Sequence, residues 1–171
     1  MRAKVIDRTP VLTRPLVTIE AGIFQSEKEF RRRLADHCRV DLSNRGFVFR
    51  VPLLSKPVTL NLVVVELGDL GFTSAATYLQ VLERSIGRGG LRGCPQEAAY
   101  IGRTSYRDQP RDEVLYVAST VWGNIYRACE IFVLRCDDKG PYLSCTPVFY
   151  SRGIDREPKF APSSKFVFVQ K

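Results

Sequence analysis

The sequence holds a single histidine, His37, and its five cysteines, Cys38, Cys94, Cys129, Cys136 and Cys145, nowhere fall into a Cys-x-x-Cys spacing. Short paired spacings of Cys and His let one chain segment wrap a tetrahedral zinc ion, so no metal site is expected. An odd number of scattered cysteines is also a poor disulfide framework, and the thiols are read as reduced and mostly buried. The glycines form neither GxxxxGK[ST] nor a GxGxxG between a strand and a helix. Two familiar phosphate-cradling signatures are therefore missing, and no cofactor is expected. Long apolar runs are lacking too: Leu60 to Leu67 is interrupted by Asn61 and Glu66, so no membrane span or membrane partner is expected. Met1-Arg2-Ala3-Lys4 is not followed by an apolar segment, so no secretory signal is read there and a cytoplasmic location is the expectation. No internal repeat or low-complexity block is evident.

What is present suits one globular domain with its own core: 171 residues, 44% hydrophobic and 26% charged. The formal net charge is +8, unevenly spread, with 11 Lys/Arg against 6 Asp/Glu in residues 1–50. Such an excess favours polyanions, and it also keeps a protein soluble. Residues 1–15 are basic and broken by Pro10 and Pro15, and read as an N-terminal arm. Residues 16–171 read as a single α+β domain.

The chain is organised around residues 69–110. Thr73 or Ser74 can cap a helix over 74–86, and Ala75, Leu79, Leu82 and Ile86 recur at helical spacing. Leu79, Leu82 and Ile86 are expected against the sheet. Gly87 is a natural stop, with Arg84 and Arg88 at the carbonyl end. Gly87 to Gly93, GRGGLRG, reads as a basic connector whose backbone N–H groups could wrap an anion. Cys94-Pro95-Gln96-Glu97 resembles a helix or turn start. A thiol there, near Arg92, would have its pKa lowered. The weak catalytic candidates are Cys94 and Glu97, with Arg103, Tyr106 and Asp108 nearby in sequence. No second catalytic group is visible beside Cys94, and a buried small hydrophobe at a turn is the simpler reading.

Elsewhere, Leu16 to Phe24 reads as a strand. Ser26 with Glu29 is a capping box for a helix over 27–38, with Phe30, Leu34 and Cys38 on one face. Arg31, Arg32 and Arg33 fan around that helix. Phe47 to Leu53 and Val58 to Leu67 are β-rich, and the second is apolar on both faces, the mark of a central strand. Tyr100 to Tyr106 reads as a strand. A meander fills 113–150: a strand to Trp122, a hairpin at Gly123-Asn124, a return to Cys136 and a second turn at Asp137 to Gly140. In that register Tyr116 faces Ile131 and Ala118 faces Cys129. Residues 151–164 read as a loop, and Phe166 to Val169 as a last strand. The expected fold is α+β: a mostly antiparallel sheet with this C-terminal meander and two amphipathic helices.

From about Leu62 onward the chain resembles a family of uncharacterised bacterial proteins. The matching pieces are LVVVELGDLGF, the helix after it, Gly90-Leu91, Cys94-Pro95-x-Glu97, Tyr106-x-Asp-Gln-Pro, Glu113-Val-Leu and Phe160-x-Pro with Phe166-Val-Phe. GRGGLRG and Tyr100 to Ser105 depart from the pattern. The resemblance implies no activity and no catalytic residue.

Three functional readings follow. The first is a non-enzymatic module binding nucleic acid or another polyanion through Arg31, Arg32, Arg33, Arg88, Arg92 and Arg103, with Tyr100, Tyr106 and Tyr126 as exposed aromatics. The alternative is a protein-interaction or assembly module, a homo-oligomer or a complex subunit. The third is a cysteine-dependent enzyme, which the sequence supports less.

Overall fold

The computed structural model of the chain describes residues 11–37, 39–40, 53–87, 90–119, 129–149 and 158–171. It is an α+β domain whose main sheet is mixed. Its strands are β1 (Arg14–Ala21), β2 (Arg39–Val40), β3 (Val58–Glu66), β4 (Ala76–Thr77), β5 (Leu91–Arg92), β6 (Val114–Val117), β7 (Cys129–Asp137), β8 (Gly140–Phe149), β9 (Lys159–Phe160) and β10 (Lys165–Gln170). The helices are α1 (Glu27–His37), α2 (Tyr78–Gly87) and α3 (Gln96–Ser105). The main sheet runs β1-β3-β10-β6-β7-β8-β2, with β5 also on β10, while β4 and β9 form a separate pair. Most pairings are antiparallel, but β10 with β6 and β2 with β8 are parallel.

β3 lies between β1 and β10, and Leu62, Val63, Val64 and Val65 are all buried. Alternate residues feed two cores. Leu60, Leu62 and Val64 pack on one face with Phe30 of α1 and Ala98, Ala99 and Tyr100 of α3. Val63 and Val65 pack on the other with Tyr78 and Val81 of α2. The central-strand expectation for Val58 to Leu67 is thus met, because a sheet covered on both faces needs apolar residues on both.

α3 contacts β1 and also β7 and β8. Five strand spacings separate β1 from β8, about 24 Å in a flat sheet, whereas a ten-residue helix is about 15 Å long. The sheet therefore curls around α3. Gly102 makes the close approach possible: a Cβ there would stand 3.2 Å from Leu62 Cδ1.

Several local expectations are corrected. α2 starts at Tyr78, not residue 74, because Ala76 and Thr77 form β4 against Phe160 and Lys159. Thr77, not Thr73 or Ser74, is the cap, with Gln80 N donating to Thr77 Oγ1 and Thr77 N to Gln80 Oε1. The buried face is Tyr78, Val81 and Ser85 with Leu82 half-buried; Leu79 (50% exposed) and Ile86 (67%) face solvent. β4 sets the phase of the helix, and Tyr78 Oη anchors it by donating to Ser119 O at 2.6 Å. Tyr100 to Ser105 belong to α3, not to a strand. Leu91–Arg92 of the glycine-rich segment are a strand on β10.

The meander β6-β7-β8 is present, but Tyr116 faces Val133 instead of Ile131. A two-residue shift leaves every side chain on its face, so alternation alone could not detect it. The expected hairpin at Gly123-Asn124 lies outside the described residues, as does the strand expected over Phe47 to Leu53 except for Leu53, which is in no strand. The second hairpin is where expected, with Asp137 opposite Gly140 and Asp137 Oδ1 accepting from Lys139 N at 2.8 Å. β1 takes in Arg14 and Pro15, the last two residues of the segment read as an arm; residues 1–10 lie outside the described residues.

Candidate anion-binding groove

α1 is fixed at its start by the expected capping box. Glu29 N donates to Ser26 Oγ at 3.2 Å, and Gln25 N donates back to Glu29 Oε2 at 3.0 Å. Phe24, just outside the cap, meets Phe30 edge-on at 4.9 Å between ring centroids, a contact that sets the angle of chain entry. Phe30 then meets Tyr100 of α3 at 4.7 Å, and Tyr100 meets Phe132 of β7 at 4.7 Å. This aromatic chain ties α1 to α3 and both to the sheet, each pair contributing about 0.5–1.5 kcal/mol beyond its buried area.

Between the two helices lies a groove of about 600 Å³. Ile23, Phe24 and Ile101 give it apolar wall. Arg32, Arg33 and Asp36 come from α1, and Arg107 follows the end of α3. Arg33 lies 5.8 Å from the Phe24 ring centroid and pairs with Glu29 one turn back at 3.1 Å. Arg107 Nε donates to Thr104 O at 3.3 Å, occupying one edge of the guanidinium. Among the described residues neither Arg32 nor Arg107 has an ion pair. The groove thus carries more positive charge than its single lining carboxylate offsets.

The structure brings together only part of the expected binding set. Arg32 and Arg33 line the groove; Arg92 is exposed on β5 beside Val169 and is not among its lining residues. Arg103 is 3% exposed, and its guanidinium donates to Gln109 Oε1 and Tyr106 O, so it serves the interior. The side chain of Arg31, and Arg88, lie outside the described residues. Tyr100 is buried, Tyr106 half-buried, and Tyr126 lies outside the described residues. Sequence reasoning missed Arg107, because its place depends on α3, and it missed Phe24 and Ile101 as groove walls.

The cysteine constellation does not assemble. Cys94 is 1% exposed, its Sγ 3.5 Å from Val167 O and its N–H donating to Ala118 O at 2.6 Å. Burial pushes the thiol up to about 12, outweighing the opposite pull of Arg92, so the expected lowering is corrected. Glu97 is fully buried and accepts from Gly22 N at 2.6 Å and Leu54 N at 3.4 Å. Burial raises its pKa, the two N–H donors opposing. It fastens α3 to the β1–α1 link and to the segment before β3. That link is tight: Gly22 has φ +74°, and a Cβ on it would stand 2.1 Å from Lys56 O.

Tyr106 and Glu113 belong to a second polar network. Glu113 accepts from Arg14 Nη2 at 2.7 Å and from Tyr106 Oη at 3.1 Å, while Gln109 Nε2 donates to the carbonyls of Glu113 and Leu134. Burial, with Glu113 adding, raises the Tyr106 pKa. Asp108 is exposed and outside this network. Cys94, Glu97, Arg103, Tyr106, Gln109 and Glu113 thus have separate structural tasks. Among the described residues no three His, Cys, Asp or Glu side chains cluster as a metal site, and no helix is long and apolar enough to cross a membrane.

Fold and groove together define an α+β domain, its curled sheet covered on both faces, with an arginine-lined groove between two helices. In comparisons with known proteins, no family model, curated protein or solved structure matches this chain.

Proposed function

We propose that the protein is a non-enzymatic binding module for nucleic acid or another polyanion, acting through the α1–α3 groove. The observation that carries this reading is the convergence of Arg32, Arg33 and Arg107 on one groove that also has an apolar wall. Arginine forks give paired donors to phosphate or sulfate oxygens, and the net charge of +8 adds long-range attraction. The test is retention on immobilised DNA and on heparin. Retention should weaken steeply with salt as counterions are released. Arg32→Ala with Arg107→Ala should weaken it and reduce the salt slope by about two contacts or less. Absence of retention at about 50 mM salt, where such contacts are strong, would refute the reading.

A second reading, an assembly module, is favoured by one specific observation: Leu79 and Ile86 stand half or more exposed on the solvent side of α2. Sedimentation would show an oligomer that Leu79→Lys with Ile86→Lys dissolves. A monomeric wild type at high concentration would remove the homo-oligomer form of that reading.

A further inference from the structure

The geometry points to a narrower ligand class for this groove: single-stranded nucleic acid, with an unpaired base seated against the Phe24–Ile101 wall and its phosphates at Arg32 and Arg107. This rests on the polyanion reading above.

Three features of the lining distinguish a base-bearing strand from a plain polyanion. The first is apolar surface. Ile23 is 45% exposed, and Phe24 and Ile101 are only partly covered. Phosphate or sulfate gains nothing from such a wall, whereas every base has an apolar face to lay on it. The second is Asp36, the one carboxylate among the lining residues. It repels a bare phosphate, but it accepts a hydrogen bond from the exocyclic amine of cytosine or adenine. Thr104 and Ser105 add hydroxyls on the α3 side. The third is size. A groove of about 600 Å³ suits a ligand of nucleotide scale. A base stacked inside a duplex cannot reach such a recess without being flipped out of its stack and unpaired.

The experiment is fluorescence anisotropy at about 50 mM salt, where electrostatic binding is strong. It uses four labelled probes of about 12 nucleotides, within the range one small domain covers. They are a cytosine/adenine-rich single strand, the same strand in a duplex, a thymine single strand, and an abasic strand with the same sugar-phosphate backbone. The single strand should bind about tenfold or more tighter than the abasic strand, the value of one or two stacked bases. Phe24→Leu, and independently Ile23→Ser at its exposed position, should bring single-strand affinity down toward the abasic level, a larger loss than either causes in abasic binding. Asp36→Asn should strengthen abasic binding and reduce the preference for the cytosine/adenine strand over a thymine strand. Arg32→Ala with Arg107→Ala should weaken binding of all probes. If the abasic strand or the duplex binds as well as the single strand, or if Ile23→Ser and folded Phe24→Leu leave single-strand binding intact, the base-seating inference is overturned and the polyanion reading stands. If no probe binds, both are overturned.

Discussion

At the scale of single residues, burial decides what each ionisable group does. Cys94 sits where a short helix begins and near an arginine, two features that usually activate a thiol. Enclosure in the core outweighs the pull of Arg92 and holds the thiol protonated. In the native protein Cys94 should therefore resist alkylation at neutral pH and react only on unfolding, with peptide mass spectrometry reporting the site. Rapid native labelling of Cys94 would show that the strand environment opens. The folded pKa, raised to about 12, lies above the unfolded value near 8.5, so the stability linked to this thiol is complete below about pH 8.5 and is lost as pH rises toward 12.

Glu97 follows the same sign at lower pH. Its folded pKa is raised, so the fold favours the protonated carboxyl. Its contribution is fully present below the unfolded carboxylate pKa and declines as pH rises through the folded value. Glu97→Gln, which keeps an acceptor for Gly22 N, does not titrate. Urea melts from mildly acidic to neutral pH should show the wild type losing ground to the Gln variant as pH rises. A constant difference across that range would mean that Glu97 carries no shifted proton equilibrium.

At the scale of elements, α2 shows how a neighbour selects between two readable faces. The stripe of Ala75, Leu79, Leu82 and Ile86 shares only Leu82 with the face that packs. β4 ends at Thr77 and delivers the chain with Tyr78 pointing inward, so Val81 and Ser85 follow it. Ser85 tolerates burial because its hydroxyl donates to Leu82 O at 2.9 Å. Val81→Ala should cost about 1–3 kcal/mol in a urea melt, from lost burial and the cavity left behind. Leu79→Ala and Ile86→Ala should each stay within about 0.5 kcal/mol, as exposed substitutions do. The reverse order would put the packed face back on the Leu79 stripe. α1, by contrast, was legible from Phe24, Ser26 and Glu29, because capping is a contact between residues close in sequence.

At the scale of the whole molecule, none of the described cysteines Cys94, Cys136 and Cys145 stands in a disulfide, and across the strands Cys145 faces Phe132 and Cys136 faces Pro141. No disulfide is therefore expected in the native protein. Thiol titration after unfolding without reductant should find all five cysteines of the sequence. A count of three or fewer would establish a pairing. The same scale holds the groove, whose two walls join only because the sheet curls far enough for α3 to lie against α1.

What the sequence by itself determined is what neighbours along the chain can settle: the cap of α1, the stop at Gly87, the Asp137–Gly140 turn and the two-faced apolar strand β3. Those signals act over a few residues, within reach of one hydrogen bond or one alternation period. Tertiary structure alone decided the rest. α3 was hidden because Tyr100 and Ile101 favour strands locally, and only packing of Ala98, Ala99 and Gly102 against the sheet makes the segment helical. Glu97 could not be matched to Gly22 and Leu54, nor Arg107 to Arg32, because residues far apart in sequence meet only after the sheet has curled. Burial then settled Cys94 as the small buried residue of the simpler reading and took Arg103 off the surface. Desolvation is a property of the assembled core, and no short stretch of sequence contains it.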